Sequence, residues 1–92
     1  MGDVDSSGDP SLASLKDLVE QVARALVDDP DSVEVNQIVG IVKVIYEISV
    51  APGDVGQIVG RQGRNITALR ILVGAVGTKL GRRAQVELIE PR

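Results

Sequence analysis

Leu12, Leu15, Leu18, Val19, Val22 and Leu26 recur every three or four residues, with Lys16, Asp17, Glu20, Gln21 and Arg24 between them. That spacing gathers the apolar side chains into one stripe and predicts an amphipathic helix of about four turns. Asp9-Pro10 suits its start, and Ser14 with Asp17 offers a second start resembling a capping box. Asp28-Asp29-Pro30-Asp31-Ser32 stops it. From Val33 to Val39 the apolar period falls to two, as in a strand, and Gly40 reads as a tight turn. In the strand that follows, Val42, Val44, Tyr46, Ile48 and Val50 share one face, and Lys43, Ile45, Glu47 and Ser49 share the other. One buried and one wetter face fit a sheet covered by helices on a single side.

Pro52 cannot continue the strand, and Asp54 is placed to cap a short helix running to Val59. Gly60-Arg61-Gln62-Gly63 then reads as a tight loop between two helices. The second helix runs from Arg64 to Leu80 on a stripe of Ile66, Leu69, Leu72, Val73, Val76 and Leu80. Gly74 and Gly77 each cost such a helix about 1 kcal/mol against alanine, so close packing is expected to compensate, within the chain rather than across a subunit interface. Gly81 ends the helix, and Ala84 to Glu90 alternate as a last strand. The expected order is αββααβ, an α+β fold with a three-stranded mixed sheet and its helices on one face.

Composition narrows the chemistry. Ninety-two residues make one small domain, read as 11–92 behind an acidic, disordered leader at 1–10. Cysteine and histidine are both absent, so thiolate chemistry and the commonest general base and zinc ligand are missing. No apolar run approaches the roughly 20 residues needed to span a membrane, and the N-terminus lacks a signal peptide's basic and apolar regions, so a cytoplasmic protein is expected. The formal net charge of −3 hides an asymmetry. Residues 1–55 hold three basic side chains against eleven acids, a net −8, and residues 56–92 hold seven against two, a net +5. A polyanion responds to the local field, because screening limits reach to about 8–10 Å at physiological salt.

The glycine loop carries the sharpest signal. Gly60 suits the end of one helix, Gly63 permits close backbone approach, and the next helix opens with unpaired N–H groups and a positive dipole end that suit a phosphate. Arg61 and Arg64 add charge on the same side. No G-x-G-x-x-G is present and no Lys-Ser/Thr follows the glycines, which leaves an enzyme without a nucleotide cradle. Asn65-Ile66-Thr67 matches a glycosylation sequon, with nothing to suggest secretion.

Val50 to Arg70, with Gly60-x-x-Gly63 at its centre, resembles the core of the K-homology (KH) fold. The preceding helix and Asp29-Pro30-Asp31-Ser32-Val33-Glu34-Val35 make the likeness closest to small bacterial single-KH proteins of the KhpA type, in the prokaryotic, type II arrangement. The resemblance covers about Leu15 to Glu90. It implies a non-enzymatic, cytoplasmic RNA-binding protein that needs no cofactor and no metal. It implies that Gly60, Arg61, Gln62 and Gly63 clamp the sugar-phosphate backbone of roughly four nucleotides of single-stranded RNA. Arg64 would add a phosphate contact, Gly56, Val59 and Ile66 would line or support an apolar groove for bases, and Arg70 would be an outer contact. Val59 and Ile66 also fit plain core, as Ile58 and Leu69 do more strongly. A role as RNA chaperone or post-transcriptional regulator, and a homodimer or a heterodimer with a larger KH-containing RNA-binding protein, are further implications. The competing reading is a dimerisation module that binds RNA incidentally. Arg82 and Arg83, about 24 Å along the helix from the loop, are expected to cap the helix or to do nothing specific.

Overall fold

A computed structural model of the chain describes residues 10–89. The leader read at residues 1–10 therefore lies outside the described residues except for Pro10, which opens the first helix. Helix α1 spans Pro10–Leu26 as one uninterrupted element, so Ser14 and Asp17 lie inside it rather than at a second start. A 3₁₀ turn at Pro30–Ser32 leads to strand β1, Glu34–Val39, and strand β2, Lys43–Ser49. A second 3₁₀ turn at Pro52–Asp54 precedes helix α2, Val55–Val59; the glycine turn, Arg61–Gly63, separates it from helix α3, Arg64–Lys79, and strand β3, Arg83–Leu88, follows. The sheet order is β1-β2-β3, with β2 antiparallel to β1 and parallel to β3. This is the αββααβ order and mixed sheet that the residue pattern predicts.

Leu12, Leu15, Val19 and Ala23 of α1 meet Ile66, Leu69 and Val73 of α3 and the inward row Val44, Tyr46 and Ile48 of β2. Tyr46 is fully buried and donates its hydroxyl to the Leu12 carbonyl at 3.4 Å. Burial pushes its pKa up to about 12, with the Arg82 guanidinium pulling the other way. Two predicted stripe positions fail for local reasons. Val42 is 68 % exposed because the strand starts at Lys43 and Val42 belongs to the hairpin turn, which the Gly40 N–H closes on the Lys43 carbonyl at 2.8 Å. Leu72 is 43 % exposed because buried Gly77, with Ile66, Leu69 and Val73, sets the inward line of α3 one step round from it.

Gly77 answers half of the glycine question. A Cβ built there would lie 2.6 Å from the Ala84 Cβ and 3.0 Å from the Arg82 carbonyl oxygen, so the missing side chain lets β3 close against α3. Gly74 has nothing within 4 Å of such a Cβ, and the structure offers no packing reason for it. The end of α3 is a Schellman turn. Arg82 N–H donates to the Gly77 carbonyl at 2.9 Å and Gly81 N–H to that of Thr78 at 3.0 Å, around a left-handed Gly81.

Asp54 differs from its sequence-based role. It makes no side-chain cap to α2. Its buried carboxylate accepts the backbone N–H groups of Asp28, at 3.2 Å, and Asp29, at 3.0 Å. It thus ties the segment between α1 and β1 to the entrance of α2.

Candidate nucleic-acid interface

Helix α2 ends because Gly60 leaves helical space. Its φ of 77° and ψ of 170° define a region open essentially to glycine alone, while its N–H still closes the helix on the Gly56 carbonyl at 2.8 Å. Gln62, at φ 57° and ψ 26°, and Gly63, at φ 74° and ψ 16°, are both left-handed. The Gly63 N–H returns to the Gly60 carbonyl at 3.0 Å. Three of four residues therefore have positive φ, and the turn interrupts the helices instead of continuing them. Gly60 and Gly63 are half-buried, with Arg61 and Gln62 exposed between them.

The turn is pinned by a residue that the sequence reading noted only as part of a sequon. Asn65, in the first turn of α3, donates its Nδ2 to the Gln57 carbonyl of α2 at 2.9 Å. Its side chain crosses directly above Gly60, where a Cβ would lie 2.5 Å from the Asn65 Cγ. Glycine at 60 is thus required twice, by dihedral angle and by this crossing. A hint lay in the sequence: an asparagine one residue into a helix is available for bonds to neighbouring backbone instead of packing.

The other expected site residues fall into place around the turn. Arg64 is exposed and reaches back so that its Nη2 donates to Gln62 Oε1 at 3.3 Å. Val59 is half-buried, and Ile66 is 7 % exposed and belongs to the core cluster. Gly56 is exposed with nothing near an added Cβ, so the unliganded fold places no steric demand there. Arg70 lies away from the turn, two helical turns along α3. Its Nε donates to the Val86 carbonyl at 3.3 Å, and with Ala84, Gln85, Val86 and Glu87 it lines a surface cavity beside β3.

That cavity opens on main chain that the sequence reading did not single out. β3 is an edge strand. Arg83 and Ile89 donate their N–H groups toward β2, to Val42 at 3.1 Å and Ile48 at 2.9 Å. In a parallel ladder the intervening residues, Ala84, Val86 and Leu88, then turn their own N–H and C=O groups to the open side. Sequence spacing carries no signal for this. Arg82 sits at the opposite end of α3, where its Nη1 donates to the Gly40 carbonyl at 3.0 Å and holds the hairpin. Among the described residues no cluster of carboxylates could hold a metal ion, and no helix is long and apolar enough to cross a membrane.

Comparison with known proteins agrees with this fold. The family described as KhpA/KhpB, KH domain, matches residues 16–88. The chain is 49 % identical over 73 residues to the RNA-binding protein KhpA of Caldanaerobacter subterraneus subsp. tengcongensis, covering 79 % of this chain and 97 % of that one. It is 42 % identical over 79 residues to the Aquifex aeolicus protein of the same name, covering 86 % and 100 %. The Clostridium acetobutylicum protein, also named RNA-binding protein KhpA, is 41 % identical over 75 residues, covering 82 % and 100 %. No solved structure gives a significant match. With a type II KH fold, a glycine turn between its paired helices and relatives matched over nearly their whole lengths, the chain belongs to the non-enzymatic KhpA/KhpB family of KH domains.

Proposed function

We propose that this protein binds short single-stranded RNA in the cytoplasm. The Gly60–Gly63 turn grips the sugar-phosphate thread and the open edge of β3 meets the bases. The observation that carries the reading is the solvent-facing, positive-φ turn at the mouth of α3, flanked by Arg61 and Arg64. The Gly60 and Gly63 amides are engaged within the turn, so contact with a phosphate falls to Arg61, Gln62 and the first turn of α3. Arg64, one bond from Gln62, supplies charge at the same point. Val59 and the unencumbered surface over Gly56 offer apolar contact, with Ile66 supporting them from beneath. The terminal guanidinium nitrogens of Arg70, whose Nε holds the Val86 carbonyl, the outward N–H groups of Ala84, Val86 and Leu88 and the carbonyls of Ala84 and Leu88 provide donors and acceptors that suit base edges, which RNA exposes where it is single-stranded.

One such clamp holds few nucleotides and binds weakly. Affinity useful for an RNA chaperone or post-transcriptional regulator then comes from a second clamp held close by, in another copy of this chain or in a larger KH-containing partner, through effective concentration. The rival reading, a dimerisation module with incidental RNA binding, draws on the apolar side chains left at the surface, Ile38, Ile41, Val42, Ile71 and Leu72.

The two readings separate on the double variant Arg61→Asp/Gln62→Asp. It replaces one positive and one neutral side chain with two negative ones at exposed positions, and the fold is expected to survive. Fluorescence anisotropy with a labelled single-stranded RNA should show affinity falling at least tenfold. Unchanged affinity in a folded variant rejects the clamp.

A further inference from the structure

We propose that the acidic leader, Met1 to Asp9, docks back on a basic pole of its own domain and covers it. The proposal goes beyond the RNA reading above and stands whether or not the glycine turn binds RNA.

The pole is where several elements end together. Helix α3 closes with Lys79, the turn after it carries Arg82, and β3 opens with Arg83. Lys43, the first residue of β2, lies beside Arg83 in the parallel register. The Arg82 guanidinium reaches the Gly40 carbonyl at 3.0 Å and draws the β1–β2 hairpin into the same cluster. Four of the chain's ten basic side chains therefore meet at one end of the molecule. Lys43, Lys79 and Arg83 are exposed, and none forms an ion pair among the described residues, whose ion pairs lie within α1. Glu47 and Glu87, paired four positions further along the same two strands, bound the positive field on the sheet side.

Charge is not the whole of this surface. The hairpin tip adds Ile41, 97 % exposed, and Val42, and with Gly40, Lys43 and Arg83 they line a surface cavity. A purely cationic patch suits any polyanion. Apolar side chains flanked by cations suit a short segment that carries both acids and aliphatic groups. The leader has that composition: Asp3, Asp5 and Asp9 with no basic side chain, and Met1 and Val4 among them.

The leader also joins the domain at this end. It enters at Pro10, the first residue of α1. Ser11 and Ser14 line a cavity together with Lys79 and Leu80. One residue further on, the Leu12 carbonyl accepts the hydroxyl of Tyr46, whose ionisation is opposed by burial and favoured by the Arg82 guanidinium. An unconstrained chain of nine residues spans about 15–18 Å root-mean-square, and about 30 Å when fully extended. The other basic cluster, Arg61 and Arg64, lies at the far end of α3, about 22 Å from Lys79 at 1.5 Å per residue. The mean reach covers the pole and falls short of the glycine turn.

Exposed ion pairs are individually weak, but a short tether holds the leader at an effective concentration in the millimolar range. RNA held at the turn starts from the opposite end of α3 and has no such advantage. Docking partly neutralises the pole and leaves the glycine turn as the exposed positive site.

The chain has no cysteine, so Ser6→Cys carries a single nitroxide label in the leader, outside the described fold. Paramagnetic broadening of backbone amides in the full chain, at about 20 mM salt, is the test. Amides 41–43 and 83 should lose about half or more of their intensity, with 61–66 little affected. Raising salt to about 0.5 M should restore most of that loss. Asp3→Lys/Asp5→Lys in the leader should abolish it at low salt, and Lys43→Glu/Arg83→Glu should do the same from the other side. Broadening confined to residues 10–15 beside the attachment point, or indifferent to both salt and leader charge, overturns the proposal. So does broadening of 41–43 that passes from a labelled chain to an unlabelled, isotopically enriched one, since the leader would then be docking on another copy. Pole amides that the label leaves untouched but that shift on adding single-stranded RNA would give this surface to RNA instead.

Discussion

Replacing Gly60 by alanine is the most informative single change, because two separate costs meet at that atom. The first is backbone strain. Holding a non-glycine residue at φ 77°, ψ 170° costs about 1–3 kcal/mol. The second is collision. The new methyl would sit 2.5 Å from Asn65 Cγ and 2.7 Å from its Nδ2, so the asparagine must move and lose its 2.9 Å bond to the Gln57 carbonyl. That bond is worth about 1 kcal/mol. The sum, about 2–4 kcal/mol, is a large fraction of a small domain's stability and lowers the melting temperature by about 10–25 °C. Gly63→Ala is the control. It meets left-handed strain at φ 74° but nothing within 4 Å, so it should cost only about 1–2 kcal/mol. Thermal and urea unfolding of both variants give the comparison. In an Asn65→Ala background the two closest contacts vanish, and the cost of Gly60→Ala should shrink by about 1 kcal/mol. Equal costs at 60 and 63, or no coupling to Asn65, would refute the crossing as the reason for this glycine.

The two glycines of α3 should respond in opposite directions. Gly77→Ala drives a methyl into Ala84 and the Arg82 carbonyl and should cost about 1–3 kcal/mol, whereas Gly74→Ala meets open space and should stabilise by about 0.5–1 kcal/mol, both read by urea denaturation. Asp54→Ala leaves the Asp28 and Asp29 amides without their acceptor and should destabilise by about 1–3 kcal/mol while leaving RNA affinity unchanged in the folded fraction. Tyr46 is protonated in the fold up to about pH 12 but ionises near 10 in the unfolded chain. Its contribution to stability is therefore complete below pH 10 and is lost as pH climbs from 10 through 12, which absorbance at 295 nm followed alongside circular dichroism will register as late, unfolding-linked ionisation.

Much of this architecture was legible because two periods do most of the signalling. The three-and-four spacing of α1 and the alternation of β2 identify elements whose buried positions match the structure at Leu12, Leu15, Val19, Val44, Tyr46 and Ile48. Boundaries were less legible: Val42 keeps the strand's alternation but lies in a turn, and periodicity carries no information on where hydrogen bonding stops. Leu72 was misread because a glycine has no hydrophobic signature, yet Gly77 fixes the inward line of α3 through what its missing Cβ allows. At the candidate site the glycines and arginines were visible as residue types. The Asn65 crossing and the outward main-chain groups of β3 were not, since both depend on contacts between segments that sequence spacing does not encode. Asp54 read as a cap by local rules, whereas its carboxylate is used 25 and 26 residues away.

The central claim is that RNA lies across the glycine turn and along the open edge of β3. Backbone NMR during titration with a short single-stranded RNA tests it most directly. Shifts concentrated at residues 56–66, Arg70 and 84–88, with Ile38, Lys43 and Glu47 on the far side of the sheet unmoved, are the expected result. Shifts confined to the far face of the sheet or to α1, with Arg61, Gln62 and Arg64 silent at saturation, would contradict it.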